Sequence, residues 1–222
     1  MKVIFEAKDL VKEFKRLMKS YNEFYWSTAW AGIDSLVYKD LILNKHKIKK
    51  IVVGIHFFQT HPDFILEFLD NNKVKYVKQP NGTFHPKIYL FFNNTHNWEI
   101  LIGSANFTKQ AFSINTEAVM IMNNDDRNSQ DVFKNTKLAI DQSWSKANIF
   151  NQTELENYKK IWKNQKFKID SLSGNYNAAS KNSNSKSIHT IDINVKSWVD
   201  FVNEVYNDKI HDFKDRLNVI KL

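Results

Sequence analysis

Five polar side chains of the kinds that together can cleave a phosphodiester lie close to one another in this sequence: His85, Lys87, Ser104, Asn106 and Glu117. A neutral imidazole can attack phosphorus and form a phosphoramidate, which divides one difficult displacement into two easier ones. A carboxylate on the other ring nitrogen fixes the tautomer and stabilises the imidazolium, a role we assign to Glu117. We expect Lys87, Ser104 and Asn106 to donate hydrogen bonds to the non-bridging oxygens. The set predicts phosphodiester chemistry that needs no metal ion.

The local pattern places these groups at the ends of three predicted strands, which are Thr83–Phe92, Trp98–Ile102 and Asn115–Met122. Side chains two residues apart on a strand share a face, so His85 and Lys87 are expected to point the same way. The turn 103–106 is predicted to lead into a short helix, 107–112, whose backbone N–H groups can face an anion. Glu117 lies near the start of the third strand. Three neighbouring strand ends would bring all five groups to one point.

The order of these motifs resembles a known family. His85-Pro-Lys87, then Gly103-Ser104-Ala105-Asn106 and Glu117, resembles the phospholipase D superfamily, specifically its single-motif nuclease branch, which includes metal-independent restriction endonucleases. The resemblance covers roughly residues 24–122 and implies an α/β/α sandwich with His85 as the covalent nucleophile. The fuller family motif, H-x-K-x4-D, has Asp where this chain has Phe92. That Asp is often absent from the restriction-enzyme branch, so its loss argues against a lipase-type member.

Each part of the pattern also has an ordinary structural explanation. A single histidine on a strand is most often a structural residue, and a single lysine is most often a solvated charge. Gly-Ser-x-Asn is a common turn, since all three residue types favour turns. The functional interpretation therefore depends on the three parts occurring in order, with strand phasing that brings them together.

The composition fits an anionic partner. The 222 residues carry a formal net charge of +8 and the pI is near 9.4, which favours attraction to nucleic acid. No cysteine is present, so a thiolate nucleophile, disulfides and zinc–thiolate sites are excluded. No apolar run approaches the ~18 residues of a membrane span. The N-terminus lacks the apolar core of a signal peptide, so we expect a cytoplasmic protein.

Basic and aromatic side chains outside the motif are candidates for contacts with nucleic acid, and DNA is the favoured substrate. We select Lys109, Lys78 and Lys47 for phosphate contacts. Trp30 and Trp26 are the candidates for stacking on a base. The sequence has no H-E-x-x-H, Walker or dinucleotide-binding motif, and no cluster of Asp, Glu or His with ligand spacing accompanies the active-site pattern. We therefore expect neither a metal nor another cofactor.

Strand-like and helix-like segments alternate along residues 1–170, as in an α/β sandwich with a central mixed sheet. The remaining predicted elements are strands Val3–Phe5, Phe24–Trp30, Lys50–Ile55 and Val74–Lys78, and helices 9–19, 35–44, 63–70, 130–145 and 153–163. Asp9 and Asp34 are the predicted N-caps of the first two helices, and Pro62 opens the third.

The chain is predicted to divide into three parts. Residues 1–170 form the phospholipase D-like nuclease domain. Residues 171–190 are rich in Ser and Asn and are predicted to form a linker. Residues 191–222 carry apolar side chains at helical spacing, but about thirty residues cannot build a core alone. We expect this helical segment to dock on the main domain or a partner, or to begin a further domain.

A symmetric homodimer is expected because in-line displacement needs a nucleophile on one side of phosphorus and a proton donor on the other. The sequence has one H-x-K, and the remaining histidines lack its partners. A second chain would supply the second imidazole to a shared active site on the two-fold axis. The expected biological setting is restriction or phage defence. Two alternatives stay open: a non-catalytic nucleic-acid-binding module of a larger defence complex, and a phospholipid phosphodiesterase, which the basic chain and Phe92 disfavour.

Overall fold

A mixed sheet forms the centre of the part of the chain that the structure describes. The structure is a computed structural model, and it describes residues 1–78 and 82–165. Within these residues seven strands form one sheet: β1 Lys2–Ile4, β2 Glu23–Thr28, β3 Ile48–Gly54, β4 Val74–Val77, β5 Lys87–Asn94, β6 Asn97–Gly103 and β7 Val119–Asn123. Their order across the sheet is β1-β7-β6-β5-β2-β3-β4. Strands β2, β3 and β4 are parallel, and all other neighbours pair antiparallel.

Helices cover both faces of this sheet. They are α1 Ala7–Ser20, α2 Tyr38–Leu43, α3 Pro62–Glu67, α4 Ser129–Lys146 and α5 152–165, with short 3-10 turns at Lys45–Lys47 and His56–Phe58. Apolar residues of α1, α2, α3 and α5 join one core cluster, whereas those of α4 join a second cluster on the opposite face. The predicted α/β/α sandwich with a central mixed sheet is the fold observed.

An aromatic cluster on the first face ties the site-bearing segments together. The Phe14 ring of α1 lies with its centroid 5.0 to 5.9 Å from those of Trp26, Tyr89, Phe91, Phe107 and Phe112. These rings belong to β2, to β5 and to the segment that follows β6. Most of the pairs meet edge to face, the geometry that aromatic quadrupoles favour. Trp26 is only 1% exposed, so the prediction that it stacks on a base is wrong.

Phe92, which stands where the fuller motif has Asp, is buried on the second face. Phe92 packs edge to face on Phe133 of α4, with ring centroids 5.6 Å apart, and is 6% exposed. Residues of β5 alternate between the two faces, so Lys87 and Phe92 lie on opposite sides of the sheet. A carboxylate at position 92 would therefore be buried among apolar side chains, away from the site.

The helix starts differ in part from the predictions. Pro62 opens α3 as predicted, with His61 as its N-cap. The N-cap of α1 is Glu6 rather than Asp9, whose carboxylate lies in the first turn and still favours the positive end of the helix dipole. The helix predicted from residue 35 is shorter, and its N-cap is Val37 rather than Asp34.

Two strands start later than predicted, and one predicted helix is absent. Strand β5 begins at Lys87, so His85 lies in the segment before it. Strand β7 begins at Val119, so Glu117 also precedes its strand. The predicted helix 107–112 is wrong, because the structure has consecutive turns there whose apolar rings are buried against α1. The predicted linker and C-terminal segment lie outside the described residues.

Gly103 allows the close approach of β6 and β7 at the edge where the site forms. A Cβ atom at this position would lie 2.1 Å from the Ala118 carbonyl oxygen and 2.8 Å from the Val119 Cα. Both atoms belong to the backbone, so neither can move aside without displacing the strand. Position 103, directly before Ser104, therefore has no space for a side chain and requires glycine.

Gly103→Ala is expected to lower the free energy of unfolding by about 1–3 kcal/mol or more, because the new methyl group overlaps the β7 backbone. The measurement is urea unfolding followed by circular dichroism. Gly32→Ala is the matched control, since its Cβ would meet the flexible Asp34 carboxylate at 3.2 Å and the Thr108 Cα at 4.0 Å, which is an ordinary contact distance. Equal stability of the two variants would contradict this explanation.

Candidate active site

The predicted catalytic residues meet at one edge of the sheet. Strands β2, β3 and β6 end at this edge, whereas β5 and β7 begin there, because β5 runs antiparallel to both β2 and β6. Lys87 opens β5 opposite Thr28, and Gly103 closes β6 opposite Val119. The topology therefore brings the H-x-K segment, the G-S-x-N turn and the residue before β7 to the same end of the sheet.

The Lys87 ammonium contacts the His85 ring directly. The Lys87 Nζ lies 2.7 Å from Nδ1 and 2.9 Å from Nε2 of the His85 ring, and it donates to the His85 carbonyl oxygen at 3.1 Å. A neutral imidazole has one unprotonated nitrogen, so one of the two ring contacts is a hydrogen bond. Lys87 is only 7% exposed, whereas His85 is exposed. The ammonium is thus held below an accessible imidazole.

Trp30 forms a wall beside this pair. Its ring meets the His85 ring edge to face, with centroids 5.1 Å apart, and the Lys87 Nζ lies 5.9 Å from the centre of the indole. The loop that carries Trp30 is fixed by backbone bonds, since the Phe107 N–H donates to the Trp30 carbonyl at 3.1 Å. The indole is half-buried, and stacking of a nucleotide base on it stays a prediction.

The electrostatics of the pair favour a neutral imidazole. Desolvation and the Lys87 charge lower the pKa of His85 below its ordinary value of 6.5. Desolvation also lowers the pKa of Lys87 below 10.5, and the negative charge of Glu117 opposes that shift. A neutral imidazole at pH 7 is the nucleophilic form.

Glu117 is held by two residues other than His85. Its carboxylate accepts a short hydrogen bond from the Ser104 hydroxyl on one oxygen and a 3.0 Å bond from the Asn115 side-chain amide on the other. The Ser104 oxygen in turn accepts from the Ala118 N–H at 2.9 Å. No hydrogen bond joins Glu117 to His85 among the described residues, and the role of Glu117 in orienting His85 stays a prediction.

Ser104 donates its only hydroxyl proton to Glu117, so in this structure Ser104 positions that carboxylate. Donation by Ser104 to a phosphate oxygen stays a prediction. The Asn106 side chain lies at the same turn, and its Oδ1 atom is buried without a hydrogen-bond partner among the described residues. An oxygen directed inward is consistent with an amide NH₂ that faces the site.

Sequence reasoning missed two residues that build the site. Asn115 holds Glu117, and its place two residues before that carboxylate was the available signal. The buried Tyr89 hydroxyl lies 2.9 Å from the Ala105 carbonyl and 3.1 Å from the Thr28 Oγ1. Tyr89 follows Lys87 by two positions on β5, so it joins the H-x-K strand to the G-S-x-N turn and to the end of β2.

The basic residues selected for nucleic acid differ in their surroundings. Lys109 is exposed on the turn that follows Asn106. Lys78 follows β4, three strand positions or roughly 14 Å from β5, and donates to Glu154 and to the Ile149 carbonyl, both at 2.7 Å. Lys47 precedes β3 and therefore lies at the opposite end of the sheet, where it caps the last carbonyls of α1 at 2.9 and 3.5 Å. Nucleic-acid contacts by all three stay predictions, and Lys109 is best placed.

Two further features concern the described residues alone. Residues 1–78 and 82–165 contain no helix that is long and apolar enough to cross a lipid bilayer. The same residues contain no group of three or more His, Cys, Asp or Glu side chains that could hold a metal ion.

The sequence and the structure were compared with those of known proteins. Residues 55–149 match the family model described as the NgoFVII restriction endonuclease N-terminal PLD domain. Nuc, a phospholipase D family member from Salmonella typhimurium, is similar in structure, with TM-score 0.51 and 18% identity over 68% of this chain and 97% of that chain. NucT from Helicobacter pylori has TM-score 0.47 and 16% identity over 67% of this chain and 98% of that chain. No curated protein matches the sequence significantly.

The matched segment contains the H-x-K pair, the G-S-x-N turn and Glu117. Residues 55–149 are similar to a phospholipase D domain. The predicted resemblance to the phospholipase D superfamily, on its restriction-endonuclease branch, is confirmed over these residues. The family match supports a phosphodiesterase of nuclease type, and the likeness to Nuc supports the fold.

Lys87→Gln is expected to raise the pKa of His85 toward 6.5, because the Lys87 charge is one of the two causes that lower it. The measurement is an NMR titration of the imidazole ring protons. Lys109→Gln is the control, since that ammonium is exposed and is expected to leave the titration unchanged. An identical His85 pKa in wild type and Lys87→Gln would contradict the proposed coupling.

Proposed function

We propose that this chain hydrolyses DNA without a metal ion, through a covalent phosphohistidine at His85, in restriction or phage defence. The observation that carries the proposal is the contact between the buried Lys87 ammonium and the exposed His85 imidazole. It combines a neutral nucleophile with a fixed positive charge at one point. The net charge of +8 favours a polyanionic substrate, and the matched family model is that of a restriction endonuclease domain.

The reaction divides into two displacements. A ring nitrogen of His85 attacks phosphorus, and as the N–P bond forms, the bond from phosphorus to the leaving sugar oxygen breaks. That oxygen takes a proton from a general acid and departs as an alcohol. Water then attacks phosphorus, gives up a proton, and the P–N bond breaks to restore the imidazole and leave a phosphomonoester.

The remaining side chains stabilise charge during these steps. The Lys87 ammonium, which lies on the imidazole in the unliganded structure, transfers its hydrogen bond to a non-bridging oxygen when the phosphodiester binds. The Asn106 amide supplies a second donor from the turn. Glu117, held by Ser104 and Asn115, keeps Lys87 cationic by opposing the lowering of its pKa. Fixed charges of this kind act when negative charge develops in the transition state.

The general acid is supplied by a second copy of the chain. Within the described residues the site holds one imidazole, that of His85, in contact with Lys87. We infer a two-fold symmetric dimer in which the His85 of each chain faces the same phosphorus from opposite sides. One imidazole then acts as nucleophile while the other protonates the leaving oxygen.

His85→Ala is expected to reduce the rate of DNA cleavage by at least ~10³-fold, because the nucleophile is removed from a group of residues that acts as a unit. Wild-type cleavage should continue in millimolar EDTA. Denaturing quench during turnover of a phosphate-labelled oligonucleotide should leave label on the protein that is stable to alkali and labile to acid.

His96→Ala is the matched control, since this exposed histidine lies on the turn between β5 and β6 at the far end of the sheet. It should retain wild-type rate, EDTA resistance and labelling. Strict dependence on Mg²⁺ or Mn²⁺, or full activity of His85→Ala, would contradict the mechanism.

Mixing experiments test the shared active site. Wild-type chains mixed with an excess of His85→Ala chains should lose activity beyond simple dilution, because mixed dimers hold one imidazole per site. An excess of His96→Ala chains should cause no such loss. Light scattering should give twice the mass of one chain, and a fully active monomer would end the dimer proposal.

A further inference from the structure

A cavity of about 380 Å³ opens beside the catalytic pair, within the described residues. Its volume falls in the ~300–1,000 Å³ range of ligand pockets. It shares Trp30, Asn106 and Asn115 with the site, but neither His85 nor Lys87 lines it. Its other walls come from the loops that follow β2, β3 and β6 and from α5. An occupant of this cavity would therefore adjoin a phosphate bound at Lys87.

The lining of the cavity differs in chemistry from the catalytic pair. No lysine or arginine among the described residues lines it, and it contains the carboxylate of Asp34. A phosphate would be repelled by such a lining, whereas a neutral group with N–H donors would not. The amides of Gln59 and Gln110 add both donors and acceptors, and Trp30 and Phe58 add aromatic surface. The chemistry fits a flat, neutral, hydrogen-bonding ring.

The wall formed by the loop after β3 is held in an uncommon backbone conformation. Phe57 and Phe58 both have positive φ, at 56° and 54°, which bulky residues rarely adopt. The Phe58 ring rests on Tyr158, with centroids 5.3 Å apart, and the Tyr158 hydroxyl donates to the Thr60 carbonyl at 2.7 Å. The Thr60 hydroxyl donates to Gly54 at 2.6 Å. The cavity wall is thus preformed, and such strain concentrates at functional sites.

We propose that this cavity binds one nucleobase, extruded from the strand next to the scissile phosphate and bearing an exocyclic amino group that donates to Asp34. The base stacks on the aromatic wall, and its Watson–Crick edge meets the amides and the carboxylate. Extruded bases are read in this way, by stacking and by hydrogen bonds to that edge. The proposal rests on the proposed function and narrows it, since a paired base cannot enter. Single-stranded or frayed DNA is then preferred over intact duplex.

Binding to the full-length His85→Ala chain tests the cavity without turnover. The probes are fluorescein-labelled single strands of twelve deoxyadenosines, twelve thymidines or twelve abasic nucleotides, which carry the same phosphates, together with the adenine–thymine duplex. Anisotropy should show roughly tenfold weaker binding of the abasic strand, since one base stack is worth ~5–150-fold in affinity. The adenine strand should bind more tightly than the thymine strand and than the duplex.

Substitutions of residues that line the cavity test whether the base-dependent binding occurs there. Phe58→Ala should reduce the ratio of adenine to abasic affinity, and Asp34→Ala should reduce the ratio of adenine to thymine affinity. Asp70→Ala, an exposed carboxylate that does not line the cavity, should change neither ratio. Ratios are compared because removal of a negative charge alters affinity for every strand alike.

Two results would overturn the proposal. One is equal affinity for intact and abasic strands, and the other is base dependence that persists in both cavity variants. Hydrolysis of bis(4-nitrophenyl) phosphate by the wild-type chain separates this proposal from the proposed function, because that diester carries no base. Hydrolysis of the diester without base-dependent binding would contradict the cavity proposal but not the proposed function. Base-dependent binding without hydrolysis of any phosphodiester would contradict the nuclease mechanism but not the binding of a base in the cavity.

Discussion

Burial of the Lys87 ammonium is the constraint on which the rest of the site depends. An ammonium taken out of water is costly unless acceptors and an opposite charge surround it. Here His85 accepts its hydrogen bonds, the Trp30 ring lies beside it, and Glu117 supplies the negative charge. The contacts that stabilise the lysine also hold the imidazole, so one arrangement serves both stability and nucleophile placement. Desolvation and the same positive charge lower the pKa of His85 and favour the neutral, nucleophilic imidazole.

This arrangement requires strand ends that cannot move relative to one another. The rings around Phe14 join α1 to β2, to β5 and to the segment after β6, so the three site-bearing segments share one core. Tyr89 adds polar contacts between the same segments, and Gly103 lets β7 approach closely enough for Ser104 to reach Glu117. Chemistry that is exposed at the sheet edge is thereby supported from a buried layer directly beneath it.

Much of the fold was predictable because it follows from local pattern. The apolar spacing of α1 and the continuous apolar run of β3 predicted those elements to within two residues. Segment 107–112 was mispredicted as a helix because its apolar residues serve tertiary contacts instead of helical periodicity. Likewise Trp26 was an expected base-stacking residue, but it lies in the core, where its ring contacts that of Phe14 in α1. Side-chain environment depends on contacts distant in the chain, which local patterns do not contain.

The sequence by itself determined the residue types of the site and the resemblance to the phospholipase D superfamily, because motif order and strand phasing are properties of consecutive residues. Only the tertiary structure decided which of those residues touch. In the tertiary structure His85 contacts Lys87 and Trp30. Glu117 accepts hydrogen bonds from Ser104 and Asn115. Lys47 lies at the far end of the sheet. The physical reason is that hydrogen bonds and ion pairs form within about 3 Å. Spacing along the chain determines at which end of the strands a residue lies, whereas packing across the sheet determines its position to within a hydrogen-bond distance.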